Sequence, residues 1–273
     1  MGNFKEKFDI NDNLDRGYYS QGTHPHDSGD IRIDKFRLRS LLRHAKYNGE
    51  IISILTRQLI IEENINKILV IRTPTTGAWI EHIEFSKSLH VEREYYFDQR
   101  QYVNQSSYHE NFKERQSFEV EMKKKIRRGT VFDLIIIDGF HDYHVSLKDF
   151  EFCFNCLGKN GILLSHDCAP VSPELAMPEF RPGAWCGCTY ASLITYVASN
   201  PEIALTILDT DTGIGIARGY RSKLKTGWLK NPILLDAEIQ SGFLSLISSF
   251  EFRKAYHYFR NNSSSLANLR SIW

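Results

Sequence analysis

From Phe132 to Asp167 the sequence spells out one strand-helix-strand unit, and that unit restricts the chain to an α/β fold. Phe132 to Ile137 is an apolar run with no alternation of polar residues, the pattern of a strand covered on both faces. Val145 to Leu157 then repeats apolar residues at Leu147, Phe150, Phe154 and Leu157, which predicts a helix. The turn Gly158-Lys159-Asn160-Gly161 follows, and Ile162 to Leu164 forms a second buried run reaching His166-Asp167. A crossover of this length joins parallel strands, with right-handed connection.

The flanking sequence extends the pattern. Lys67 to Ile71 reads as a strand, ending in the breaker-rich Thr73-Pro74-Thr75-Thr76-Gly77, and a helical spacing follows through Ile80, Ile83 and Leu89. Glu94 to Phe97 reads as a strand ending at Asp98, Phe118 to Ile126 as helical, and Tyr190 to Ser199 as a helix. Ala204 to Leu208 and Gly213 to Ala217 are strands joined by Asp209-Thr210-Asp211-Thr212, a connection so short that the pair must be antiparallel. Before this core, Asn3 to Asp30 is polar and turn-rich, an arm or lid, and Ile31 to Glu63 carries two helical groups divided at Asn48-Gly49. Three regions result: 1–63, arm and helices on the substrate side; 64–222, the α/β core; 223–273, a helical, aromatic tail that covers the domain or pairs with another subunit.

Composition excludes several classes. Of 273 residues, 42% are hydrophobic and 25% charged, and the net charge is +1, so no global field draws the chain to nucleic acid or an anionic membrane. The most apolar stretches are too short to span a bilayer. Met1 to Asn13 lacks an apolar signal core, and Glu6 stands where a myristoylation motif wants Ser or Thr, so neither export signal nor lipid anchor is expected. Five cysteines, an odd set, suit reduced thiols, and the expected location is cytoplasmic.

In an open α/β sheet ligands bind beyond the carboxyl ends of the strands. Here those ends carry Asp138-Gly139-Phe140-His141-Asp142-Tyr143, with Asp149 on the next helix, and His166-Asp167 after the next strand. Together with the hairpin Asp209-Thr210-Asp211-Thr212-Gly213-Ile214-Gly215-Ile216, this resembles the class I methyltransferases that act on small molecules, including macrolide and sugar O-methyltransferases and the cephalosporin hydroxylase-like proteins. The resemblance covers Thr130 to Arg218. It implies a Rossmann-like fold, mostly parallel with an antiparallel C-terminal hairpin, and S-adenosylmethionine (SAM) as cofactor. One stretch departs from the family. Its first strand ends in an acid, a glycine and a loop with a second glycine, whereas this chain has Leu69-Val70-Ile71-Arg72-Thr73-Pro74-Thr75-Thr76-Gly77. Either that loop binds SAM in an altered way or the pocket has lost it. Arg72 would suit a phosphate or carboxylate.

The candidate cofactor residues are therefore Arg72, Thr73, Thr75, Thr76 and Gly77, with Asp98 at the distance of a ribose-binding acid, or else a solvated acid at a strand end, and Ser117 flanking an adenine. Asp138, His166 and Asp167 converge if their strands are neighbours. Two carboxylates suit Mg2+, while His166 suits a transition metal better; the alternative is that the acids cap loops. In metal-dependent members of the family, acids after these two strands hold a divalent ion that binds the acceptor hydroxyl. His141 is the general-base candidate, acting with Asp138 and Asp167, against a reading in which it pins its loop. Tyr143 and Asp149 read as structural, and Cys153 and Cys156 as core. Cys168, Cys186 and Cys188 fall beside the site, read as ordinary thiols or as a zinc cluster completed by His24, His26 or His166.

The basic runs at Arg32, Lys35, Arg37, Arg39, Arg43 and Lys46 and at Lys123-Lys124-Lys125-Ile126-Arg127-Arg128 read as solvated faces; the first, over the cleft, would favour an anionic substrate. The resulting expectation is SAM-dependent O-methylation of a small hydroxyl-bearing metabolite, such as a nucleotide- or phosphate-linked sugar. Two alternatives stay open: a methyltransferase-fold protein that serves as a binding or assembly partner, and a metal-dependent enzyme of other chemistry.

Overall fold

The structure, a computed structural model, describes residues 50–98, 100, 112–181, 183–209, 211–218 and 237–262. The arm, the first predicted helical group with its basic run, His24 and His26 lie outside these residues.

A seven-stranded sheet in the order β3-β2-β1-β4-β5-β7-β6 forms the centre. Its strands are β1 (Lys67–Arg72), β2 (His90–Phe97), β3 (Lys113–Glu114), β4 (Phe132–Asp138), β5 (Leu157–Ser165), β6 (Ala204–Leu208) and β7 (Ile214–Arg218). β1 pairs parallel with β2 and β4, and β4 with β5, while β7 runs antiparallel between β5 and β6. The expected parallel sheet with an antiparallel hairpin is what forms. The strand order reverses between β1 and β4, which opens a crevice at their carboxyl ends. There Arg72 pairs with Asp138, and Ile137 with Ser165.

Alternation along each strand splits the core in two. Leu69, Ile71, Ile135, Ile137 and Leu163 face one cluster, against α2 (Arg115–Arg127), α3 (Tyr143–Asn155), α4 (Thr189–Ala198), α5 (Ala237–Ser248) and α6 (Phe252–Asn262). Ile68, Val70, Leu134, Ile136, Ile162 and Leu164 face the other, against α1 (Glu50–Glu62) and a 3-10 turn at Ala78–His82. Both faces being covered explains why residues 134–137 of β4 and residues 162–164 of β5 read as unbroken apolar runs.

Two expectations need correction. The predicted turn Gly158-Lys159-Asn160-Gly161 lies inside β5: Phe132 pairs with Leu157 and Leu134 with Ile162, so the four residues are an outward bulge in a continuing ladder. The helix expected through Leu89 is only the 3-10 turn, which gives way to extended backbone at Ile83. Ile80 and Ile83 are buried all the same, so their spacing recorded burial rather than a helix. The two-residue β3, in a stretch without apolar pattern, was not legible.

Candidate active site

The carboxyl ends of β4 and β5 deliver Asp138, His141, His166 and Asp167 into one cluster, each no more than 4% exposed. His141 is the hub. Its Nδ1 lies 2.7 Å from the carbonyl oxygen of Trp185, and its Nε2 lies 3.1 Å from Asp138 Oδ1 and 3.3 Å from Asp167 Oδ2. A carbonyl can only accept, so Nδ1 carries a proton and Nε2 is the position whose occupancy varies. Burial alone would push the His141 pKa down. The carboxylates of Asp167 and Asp138 outweigh it and hold the imidazole above its ordinary value.

Each carboxylate is also held from outside the cluster. Trp79, on the 3-10 turn, donates its indole N–H to Asp138 Oδ2 at 2.6 Å. Thr212, in the turn before β7, donates to Asp167 Oδ1 at 2.5 Å. Asp167 has φ 58, the left-handed region that a residue with a Cβ rarely enters. Burial would raise both acids, and the two imidazoles more than reverse it, leaving Asp138 and Asp167 below the usual carboxylate range. His166 sits behind them, with Nδ1 3.4 Å from both Asp138 Oδ2 and Asp167 Oδ2 and Nε2 3.7 Å from Asp211. None of these contacts is a well-aligned hydrogen bond. Burial opposes its charge, but the surrounding carboxylates raise its pKa well above normal.

Ligand atoms of Asp138, His141 and Asp167 all lie within 4.8 Å of one another. His141 thus stands where the sequence reading put His166, because the helix-bound turn after β4 swings its ring between the two carboxylates. Two carboxylate oxygens and one imidazole nitrogen fit a divalent cation chemically. Among the described residues no cysteine is one of these three ligand groups; all five are buried free thiols, with Cys168 Sγ against the carbonyls of Ser165 and His166 and the Cys186 thiol against Asp167 and Thr212.

The loop after β1 is filled by its own side chains. Thr73 and Thr76 share a 2.7 Å hydroxyl contact, Thr76 donates to the Asp138 carbonyl at 2.6 Å, and Thr75 is exposed. Gly77 adopts φ 67, and a Cβ there would come within 2.8 Å of Arg72 Cβ, so the glycine accommodates Arg72. The Arg72 guanidinium donates to Glu81 at 3.1 Å and lies 5.4 Å from the ring centres of Tyr95 and Phe112. Its charge is already satisfied.

Asp98 ends β2, with its oxygens 2.8 and 3.0 Å from Arg100, which also reaches Asp142 at 2.8 Å. Burial would raise the Asp98 pKa, and Arg100 brings it below normal. Ser117 is exposed on the first turn of α2, apart from the cluster. Asp149 is structural: Tyr96 and Arg115 both donate to it at 2.5 Å, and the Tyr96 hydroxyl accepts from the Phe140 amide at 2.8 Å. Asp142 caps α3 through the amides of His144 and Val145. Sequence reasoning missed Trp79, Thr212 and the carbonyl of Trp185, whose roles arise from turns.

Residues 36–168 match the family model described as a methyltransferase domain. No curated protein matches. Among solved structures, a protein described as a caffeoyl-CoA O-methyltransferase from Staphylococcus aureus is 17% identical, with 79% of this chain and 99% of that one covered and a TM-score of 0.43. A methyltransferase from Podospora anserina bound to S-adenosylhomocysteine (SAH) is 15% identical, covering 81% and 99%, at 0.42. The MycE methyltransferase of mycinamycin biosynthesis, in complex with Mg and SAH, is 16% identical, covering 92% and 68%, at 0.41. Among the described residues no helix is long and apolar enough to cross a membrane.

Proposed function

We propose that this chain, which has the class I methyltransferase fold and whose residues 36–168 match the methyltransferase domain, methylates a hydroxyl of a small molecule with SAM as donor. The observation that carries the reading is the fixed orientation of His141: with Nδ1 committed to the Trp185 carbonyl, Nε2, set between the Asp138 and Asp167 carboxylates, is the nitrogen left to exchange a proton. An acceptor hydroxyl placed at Nε2 gives up its proton to the neutral form of His141, which is populated above the raised pKa of the ring, while its oxygen gains the methyl group. Asp138 and Asp167 stabilise the imidazolium so formed and orient the ring. SAM supplies an electrophilic methyl group, and the chain's task is to hold the hydroxyl oxygen in line with the breaking carbon–sulfur bond.

A divalent cation would be held by Asp138 Oδ1 and Asp167 Oδ2, with His141 beside them, and would supply Lewis acidity toward the hydroxyl. Asp98 at the end of β2 would take the ribose, which requires Arg100 to release one of its contacts. The loop at Thr73 to Gly77 would line the remaining cofactor surface, with Ser117 at its margin. The finer proposal for the substrate is an anionic sugar, nucleotide- or phosphate-linked. A reducing cytoplasm suits five buried free thiols, and a homo-oligomer through the C-terminal tail remains part of the proposal.

A second reading has a specific observation behind it. Thr73, Thr76 and Arg72 satisfy one another and their neighbours without a ligand, as in a methyltransferase fold that binds a partner rather than SAM. The two separate in one assay: transfer of labelled methyl from SAM to a panel of sugar nucleotides and small hydroxyl compounds. Product with the natural chain and not with His141→Gln supports methylation. No labelled product from any compound with either protein supports the second reading.

A further inference from the structure

Each of the two carboxylates has one oxygen tied by a donor from a distant turn and its other oxygen aimed at His141 Nε2. Trp79 Nε1 holds Asp138 Oδ2 and leaves Oδ1 facing His141 at 3.1 Å. Thr212 Oγ1 holds Asp167 Oδ1 and leaves Oδ2 facing the same nitrogen at 3.3 Å, with His166 Nδ1 at 3.4 Å on its other side. We infer that Trp79 and Thr212 are paired positioning residues that fix the rotation of Asp138 and Asp167 about His141, and that the reshaped loop after β1 serves to deliver the Trp79 indole. The inference deepens the proposed function and rests on that reading for its consequence in catalysis.

The local backbone supports it on both sides. Gly77, in the left-handed region, turns the chain directly into the 3-10 turn that carries Trp79. The Trp79 ring is buried and also lies against His166, with centroids 5.8 Å apart, so its orientation is constrained by packing. On the other side Asp211, Thr212 and Gly213 have φ of 54, 58 and 94, three successive left-handed residues. A Cβ on Gly213 would fall 1.8 Å from the Ala169 nitrogen, so the turn is pressed against the segment just after Asp167. Thr212 also lies 2.6 Å from the Asp211 carbonyl, which competes for the hydroxyl proton and keeps the side chain over the turn. A carboxylate free at both oxygens would spread over several rotamers or chelate a cation through both atoms. One held oxygen leaves a single directed lone-pair set.

The test compares full-length Thr212→Val, Thr212→Ser and Trp79→Phe with the natural chain, each checked for a cooperative thermal transition. Crystal structures read the geometry, and Mn2+ titration followed by electron paramagnetic resonance reads cation affinity. In Thr212→Val and Trp79→Phe the released carboxylate turns away from His141, and Mn2+ binding weakens about 10- to 100-fold, the range for lost outer partners of a ligand. Thr212→Ser keeps the hydroxyl and the natural affinity. Unchanged carboxylate positions in both deletion variants overturn the inference. Should the natural chain bind no Mn2+, the cation part of the proposed function fails, and the crystal geometry alone still decides whether Trp79 and Thr212 position the carboxylates.

Discussion

The Nδ1 of His141 lies 2.7 Å from the backbone oxygen of Trp185, and this contact sets the tautomer of the ring. With Nδ1 protonated, a neutral His141 would point a bare lone pair at two carboxylate oxygens. That arrangement is repulsive unless a proton, a cation or a substrate hydroxyl lies between them. The cluster is therefore built to hold something positive or proton-bearing at Nε2.

Stability against pH follows from the same groups. His141 and His166 have raised pKa values, so their contribution is complete below the ordinary 6.5 and is lost as pH rises through the raised values. Asp138 and Asp167 have lowered values, so theirs is complete above the ordinary 3.8 and is lost as pH falls through the lowered values. The cation-free protein is expected to show its highest urea midpoint between 3.8 and 6.5. Urea titrations across pH check this, and a midpoint that keeps climbing above pH 8 would contradict it. Added Mn2+ should lift the alkaline side by mass action.

Behind the site, Asp149 is fully buried and ionically paired with Arg115. Asp149→Ala removes the buried partner of the guanidinium and leaves it only Glu119 at 3.0 Å, and the expected loss is about 3 kcal/mol, the low end of the cost of breaking one side of a buried pair. Tyr96→Phe removes the hydroxyl that bonds Asp149 and the Phe140 amide and should cost about 1–3 kcal/mol. Chemical denaturation measures both; near-neutral values would refute the supporting role.

Gly139 is a sharper test of the same wall. A Cβ there would stand 2.7 Å from Asp149 Oδ2 and 2.8 Å from the Tyr96 hydroxyl. Gly139→Ala should destabilise by about 1–3 kcal/mol through overpacking and displace the turn that carries His141. Denaturation together with the weakened Mn2+ affinity would show both effects.

At the turn between α5 and α6, Phe250 has φ 57 and is 64% exposed. A bulky residue gains little there and bears left-handed strain, so Phe250→Gly should raise stability by about 1 kcal/mol. A lower melting temperature would show that its ring contacts with His144 and Phe252 outweigh the strain.

Much of the fold was legible because β4 and β5 are covered on both faces and so appear as apolar runs ending at the site. Asp138, His141 and Asp167 could be named from their places at those ends. β3 was not legible, since its two residues are exposed and carry no pattern. The bulge in β5 read as a turn because Gly158-Lys159-Asn160-Gly161 has turn composition whether the ladder stops or continues. Trp79 and Thr212 were invisible for another reason: their hydrogen bonds depend on left-handed residues that aim a turn across the molecule, and spacing carries no trace of such contacts. Arg72 is a candidate for the cofactor loop or for a phosphate or carboxylate, and the contacts of its guanidinium with Glu81 and two rings are of a kind that spacing does not reveal.

A crevice that takes SAM also takes its product SAH, and calorimetric titration with SAH measures that binding without turnover. Saturable binding to the natural chain is expected, strengthened by Mg2+ and abolished in Asp98→Ala. No binding at millimolar SAH, with or without Mg2+, would contradict the proposed function.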